Sequence, residues 1–338
     1  MTVVNRFGYP ILLILLCILP FVTSSYTVSI ATEIFIFAIF ALSLNILVGY
    51  TGLVSLGHAA FFGVGAYAAG LLSKHLSASV WLTLVIGLVA AIIAAAIIGF
   101  FCNRVSGFYF LMLTLAFSQM IYGIAHQWTT VTGGDNGLSG IPKPVVAGEM
   151  TISHNIHLYF FILVIFVLVF LLLRLFVSSP LGAVLIGIKE NETRMRAIGY
   201  NTTFYKNLAF IIAGGLGGLA GVLFTYFNGF VSPGDVYWTM SGKVLMMTLI
   251  GGAGTLLGPV LGAAFIVILE TFVSSYTDYW MWILGATFIF FVIFVPGGIV
   301  GLRKFIWKHA KLGKDQPLLR SQANAEQLSE EKQGSGQS

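Results

Sequence analysis

Charge is what this sequence has least of. Only 9% of its 338 residues are Asp, Glu, Lys or Arg, and 58% are hydrophobic, whereas soluble domains carry about 25% charged residues. In water such a chain would have no place for its apolar surface; lipid accepts an apolar exterior. Cysteine is nearly absent. Cys17 and Cys102 both fall in apolar stretches, which argues against a disulfide framework and for small buried hydrophobes. No Gly-x-x-x-x-Gly-Lys-Ser/Thr run occurs, so the chain cannot build the usual phosphate-binding loop by itself. There is no two-His or Cys/His metal spacing and no clustered carboxylate pair suited to hydrolysis. A membrane enzyme would therefore lack its nucleophile, base or metal. The net charge of +5 does not point to nucleic acid, because the cations lie between apolar runs and in the tail.

What the sequence does have is apolar runs of spanning length. They fall near 11–28, 31–49, 53–72, 80–101, 107–126, 157–177, 208–228 and 280–300, each close to the roughly 20 residues a helix needs to cross the hydrocarbon core. The region 243–272 is also apolar but is interrupted by Gly251, Gly252, Gly254, Gly258 and Pro259. The expected fold is all-α: a polytopic transmembrane bundle of about 8–10 spans, including a broken or re-entrant Gly-rich hairpin. Residues 1–302 form the membrane domain and 303–338 a basic, then polar, tail. The start mimics a signal peptide, with Arg6, an apolar Pro10–Val22 and then Ser24 and Ser25. Ile11 to Val28 nevertheless approaches a full span and is read as an uncleaved first helix.

The cations set the topology. With the N-terminus inside beside Arg6, six crossings return the chain inside at Arg174. Arg174, Lys189, Arg194, Arg196 and Lys206 cluster there, Arg104 falls inside, and the tail from Arg303 is basic. The outer loops hold Lys74 and Lys143. This asymmetry fits the positive-inside rule. With residue 207 and the tail both inside, 243–272 crosses twice or not at all. Non-helical backbone at that depth belongs in protein or beside a watery cavity, which makes the hairpin a candidate pathway element. The tail from Gly313 reads as disordered, and Arg303, Lys304, Lys308 and Lys311 as cations lying against anionic lipid.

Three segments carry a physical signal. From Gly49 to Tyr67, glycines and small residues interrupt a span. Close helix packing is one reading. The other is a break beside a path, with Ser55, Gly57, His58 and Gly63 lining it; the intramembrane His58 is a functional candidate, though it also suits a carbonyl-bonded core histidine. In the second segment, Gly133-Gly134-Asp135-Asn136-Gly137 is strong turn chemistry within a loop of about 30 residues, a length that leans toward function. The third runs from Ser179 to Gly199. Pro180 opens a helix, and Glu190–Arg194 and Glu192–Arg196 stand at i,i+4. Gly199 ends the helix, and Asn201 or Thr202 starts the next. One or two short amphipathic helices on the cytoplasmic side follow, within 178–207.

Together these segments resemble the M-type permease of the ABC importers for branched-chain amino acids. The resembling stretches are Gly49 to Leu72, Gly107-Phe108-Tyr109-Phe110 through Gly140-Ile141-Pro142, Ser179 to Phe224, and Met247 to Glu270 with its Gly-Gly-Ala-Gly-Thr-Leu-Leu-Gly-Pro. The Thr-Gly-Gly-Asp-Asn-Gly-Leu run followed by Gly-Ile-Pro is characteristic of the M-type. Ala183-Val184 departs from it where a basic residue is common, and the tail is longer than expected.

The resemblance implies a multi-pass protein of the bacterial inner membrane, with both termini cytoplasmic. It pairs with an H-type permease, two cytoplasmic ATPases that bind the ATP and Mg, and a periplasmic or lipid-anchored binding protein. The chain itself would hold no cofactor. The coupling set is Pro180, Leu181, Gly182, Ile188, Lys189, Glu190, Asn191, Glu192, Arg194 and Gly199, with Leu181, Ile188 and Met195 as apolar anchors and Lys189, Glu190, Glu192 and Arg194 on the polar rim. Ser55–Gly65 and Gly251, Gly252, Gly254 and Thr255 would line the path, where exposed helix N-termini suit a carboxylate. Bulky substitutions at Gly57 or Gly254 are expected to abolish uptake without preventing insertion. Permeases for urea and short amides share the pattern. A channel or secondary transporter is the alternative of another class, against which stands the long basic inner loop.

Overall fold

A computed structural model describes residues 14–76, 79–147, 150, 151, 155–295 and 297–301. The expectations for the extreme N-terminus and for the tail, including Arg303, Lys304, Lys308 and Lys311, lie outside the described residues. The chain is a multi-pass helical bundle. Helix α1 covers 14–22; α2 is Ser25–Asn45, prolonged by a π-helical turn, Ile46–Thr51; then follow α3 His58–Leu76, α4 Val80–Cys102, α5 Phe108–Gln127 and the short α6 Thr129–Thr132. After these come α7 Asn155–Ser178, α8 Pro180–Ala197, α9 Thr202–Asn228, α10 Trp238–Gly251, α11 Leu257–Ser274 and α12 Trp280–Phe294. Two small antiparallel pairings decorate one end: β1 Leu138–Ser139 with β4 Phe230–Val231, and β2 Val145–Ala147 with β3 Met150–Thr151. Among the described residues seven segments are long and apolar enough to cross a membrane.

Helix α2 is the axis of the bundle. It is apolar on every face and buried on nearly all of them from Phe35 onward, as an all-round hydrophobic helix must be. It packs on α7, α9, α10 and α11. A chain of rings ties it to its neighbours: Phe40 to Phe62 at 4.8 Å, Phe62 to Phe224 at 5.2 Å and Phe61 to Phe210 at 5.4 Å between centroids. Helix α12 is as apolar but buries only Leu284, so its apolar faces are left uncovered by the rest of the chain.

Helix α9 joins α3 and α4 through small residues. A Cβ at Gly218 would overlap the Ala91 methyl, and one at Gly221 the Phe62 carbonyl. Without side chains there, three backbones approach closely, which is how membrane helices gain packing energy when no water drives them together. The Tyr226 hydroxyl closes the layer on Ser73 and Thr83.

Two run boundaries differ from the sequence reading, and the Gly-rich hairpin agrees with it. The run 11–28 is not one helix: Ser24 is extended, its hydroxyl accepts the Thr27 N–H at 3.4 Å, and α2 starts anew. The run 53–72 begins its helix only at His58, because Gly52 turns left-handed (φ 74°) and residues 52–57 leave the helix. The hairpin 243–272 is two helices, α10 and α11, separated by Gly252 (φ 115°) and Gly254 (φ 84°). They run antiparallel, with Gly251 backing on Gly258 and Met247 on Gly262.

Candidate functional site

Helix α8 is built as local rules dictate. The Ser179 hydroxyl accepts the Gly182 N–H at 3.5 Å, and Pro180 occupies the first turn. At the far end Gly199 (φ 95°) takes the left-handed cap, with Tyr200 N–H donating to Met195 O at 3.1 Å; the Asn201 side chain then caps α9 through the Phe204 N–H at 3.2 Å. Between them Asn191 is non-helical (φ −159°, ψ 96°), and its side chain accepts the Arg194 N–H at 2.9 Å. The helix is therefore two limbs with an internal cap.

That break changes the pairing. Glu192 pairs with Arg196 at 2.6 Å, as expected, and also with Lys206 of α9 at 2.5 Å and the Thr202 hydroxyl at 3.1 Å. Burial alone would raise the Glu192 carboxyl, but Lys206, Thr202 and Arg196 hold it below the usual carboxylate range. No ion pair joins Glu190 to Arg194 among the described residues, because Asn191 destroys the i,i+4 register between them. Glu190, Asn191 and Arg194 are exposed. Ile188, expected as an outward anchor, is 3% exposed and faces the bundle with Leu185 and Gly182. Met195 folds back on Gly187. The exposed apolar positions of the first limb are Leu181 and Ile186, at 37% and 38%.

Lys189 also departs from expectation. Its stem is exposed, but its ammonium turns to the bundle and donates to the Gly49 carbonyl at 2.7 Å. Gly49 lies in the π turn that ends α2, the kind of irregularity often found at functional sites. A Cβ on Gly49 would meet the Asn45 side chain and the Gly254 nitrogen, so the two glycine breaks touch backbone to backbone. Asn45 clasps them: its Oδ1 accepts the Gly254 N–H at 2.9 Å and its Nδ2 donates to the Thr255 carbonyl at 2.8 Å. The Thr255 hydroxyl donates to Gly252 O at 2.9 Å and accepts the Gly258 N–H at 3.0 Å, capping α11. The C-terminal ends of α2 and α10 thus converge beside one lysine. The last carbonyls of a helix have no intrahelical partner and carry partial negative charge; the Lys189 ammonium answers that of Gly49.

The other expected path residues lie elsewhere. Ser55, Gly57, His58 and Gly63 are buried. The start of α3 is closed by side chains: Ser55 accepts the Gly57 N–H at 3.1 Å, Thr114 of α5 the Leu56 N–H at 3.3 Å, and Ser241 of α10 the Ala59 N–H at 2.8 Å. His58 sits between the Phe40 and Phe61 rings with the Ser43 backbone beside it, and Gly63 backs on Val236. Gly254 lies beside Gly49 and Lys189, Thr255 is held by Asn45, and Gly251 and Gly252 pack on Gly258 at the start of α11.

At the opposite end, Gly133, Gly134 and Gly137 all take positive φ. They shape a turn that exposes Asp135 and Asn136. Asp135 lies 2.9 Å from His126 Nδ1, and the β1–β4 pairing fastens this loop to residues 230–231. An ion pair that sequence reading passed over joins Lys243 of α10 to Glu270 of α11 at 2.5 Å, with the ammonium also 4.4 Å from the Phe37 ring centroid.

The family model for the permease component of branched-chain amino acid transport systems matches residues 26–292. The chain is 31% identical over 325 residues to the high-affinity branched-chain amino acid transport system permease protein LivM of Escherichia coli, covering 90% of this chain and 76% of that one. It is 23% identical over 285 residues to LivH of Escherichia coli, covering 78% and 91%. With the probable branched-chain amino acid transport permease protein LivM of Methanocaldococcus jannaschii it shares 25% over 328 residues, 84% and 92% of the two chains. No solved structure matches it. The higher identity to LivM than to LivH agrees with the M-type motifs in the 133–142 loop. The chain belongs to the family of permease components of branched-chain amino acid transport systems.

Proposed function

We propose that this chain is the M-type membrane subunit of an ATP-driven importer for leucine, isoleucine and valine in the bacterial inner membrane. It works beside an H-type permease, above two cytoplasmic ATPases that bind and hydrolyse ATP with Mg, and beneath a periplasmic or lipid-anchored binding protein. Both termini and the α8 end face the cytoplasm, the side on which Arg174, Lys189, Arg194, Arg196 and Lys206 gather. The observation that carries this reading is the Lys189–Gly49 bond, which links an exposed, capped helix to the junction of two glycine breaks.

On this reading Leu181 and Ile186 enter a groove on an ATPase, with Glu190, Asn191 and Arg194 at its rim. Closure of the ATPases on ATP displaces the first limb of α8. Lys189 carries that displacement to the ends of α2 and α10, and the bundle changes the side it opens to. ATP acts only through the difference in its binding to the two states. The binding protein meets the Asp135–Asn136 turn at the other end.

The test is reconstitution of the full complex in proteoliposomes. Labelled leucine should accumulate only with ATP and the binding protein, and cysteines placed at Ile186 and Arg194 should react only with a cytoplasmic-side reagent. Accumulation without ATP, or labelling from the outside, would refute the importer reading.

A further inference from the structure

A groove of about 360 Å³ runs between α1, α2, α7 and α11. Its walls are apolar, with Phe35, Phe166, Phe170 and Leu261 among them, and its single charged lining residue is Arg174. Helices α2, α7 and α11 all have membrane-crossing length and apolarity, and Leu171 and Leu261 on the groove are 47% and 44% exposed. The groove therefore opens at bilayer depth, where the solvent is hydrocarbon. Arg174 stands four residues before the end of α7 at Ser178, about 6 Å along the axis. That is the depth at which an apolar interior gives way to headgroups.

The setting of the groove chooses the occupant. From Phe166 to Arg174 it runs about 12 Å along α7, with apolar walls at hydrocarbon depth and its charged lining residue at headgroup depth, the order of an acyl chain and its phosphate. The guanidinium at one end offers a planar fork of donors that matches a phosphate, and basic residues between membrane helices favour anionic headgroups.

We propose that this groove is a site for an anionic phospholipid, one acyl chain lying between α2, α7 and α11 and the phosphate on Arg174. The inference rests on the membrane placement of the chain and not on the importer reading. The lipid would touch Leu257 and Val260, the first turn of the helix that leaves the 252–256 break.

The test uses the complex purified in detergent and exposed to mixed micelles of phosphatidylglycerol and phosphatidylcholine, with retained lipid read by native mass spectrometry. The wild type should retain phosphatidylglycerol preferentially. Arg174→Gln should weaken that retention by about tenfold, the loss expected for one charge-assisted hydrogen bond, and Arg174→Lys should keep most of it. Leu261→Trp, which fills the groove from its half-exposed lip, should lose both lipids, while Leu172→Trp outside the groove should lose neither. Equal retention by the wild type, Arg174→Gln and Leu261→Trp would overturn the proposal. So would efficient crosslinking of Leu261→Cys to another subunit, which would give the groove to protein.

Discussion

Removing the Lys189 ammonium should uncouple ATP use from transport. The variant is Lys189→Met, which keeps the stem that packs beside Gly52 and deletes the donor to Gly49 O. A hydrogen bond to a charged group contributes about 1.5–3 kcal/mol. Because the Lys189 stem is exposed, the lower figure applies. At 1.4 kcal/mol per tenfold, loss of a bond made in one conformer only shifts the ratio of conformers by about tenfold. The assay is the reconstituted complex, with leucine uptake and phosphate release measured together. Uptake per ATP should fall several-fold, toward that tenfold limit, in Lys189→Met, and Lys189→Arg should restore most of it. ATPase rate alone should change little, since Lys189 is on the bundle side of α8. Equal uptake per ATP in wild type and Lys189→Met would refute the linkage.

Two further predictions concern the same region. Asn45→Ala would orphan the Gly254 N–H and the Thr255 carbonyl together. An unsatisfied buried group costs about 1–3 kcal/mol; Gly254 and Thr255 are half-buried, so the lower end applies to each, the thermal midpoint of the purified complex should drop, and an unchanged midpoint would show that the clasp is not structural. Glu192→Gln should lower the melting temperature near neutral pH. The Glu192 carboxyl is held below its ordinary 4.5, so its stabilising contribution is complete above that value and is lost as pH falls through the lowered one. The wild-type advantage should shrink as the solution is acidified below 4.5 and through the lowered value; an advantage that is unchanged by acidification would refute the ionic account.

Local chemistry was the legible part of the sequence. Pro180, Gly199 and Asn201 mark the ends of α8 and the start of α9 because caps depend on residues three or four apart. The glycine-interrupted hairpin was readable for the same reason. Hydropathy runs were not sufficient at Ser24 or at Gly52, since an average over apolar residues does not register one cap or one left-handed turn. The Glu190–Arg194 pair failed because Asn191 leaves the helix, and an asparagine carries no mark that separates an exposed helical position from an internal cap. Lys189 was misplaced on the rim because its partner, Gly49, is 140 residues away and is brought to it only by packing. Asn45 could have been found: an amide between Leu44 and Ile46, at the end of a largely apolar span, calls for a partner. Lys243 and Glu270 carried the same signal, one on each arm of the hairpin.

The break at Asn191 divides α8 into parts with different attachments. Glu192 rivets the second limb to α9, which is itself packed backbone to backbone on α3 and glycine to side chain on α4. The first limb instead holds the end of α2 through the Lys189–Gly49 bond, beside the Gly254 break that follows α10. If α8 docks on an ATPase as proposed, a force applied at Leu181 and Ile186 would have a fixed fulcrum on one side and a load on the other, and the helix would work as a bell crank rather than as a rigid peg. Stiffening its elbow would make the stationary block and the moving arm travel together.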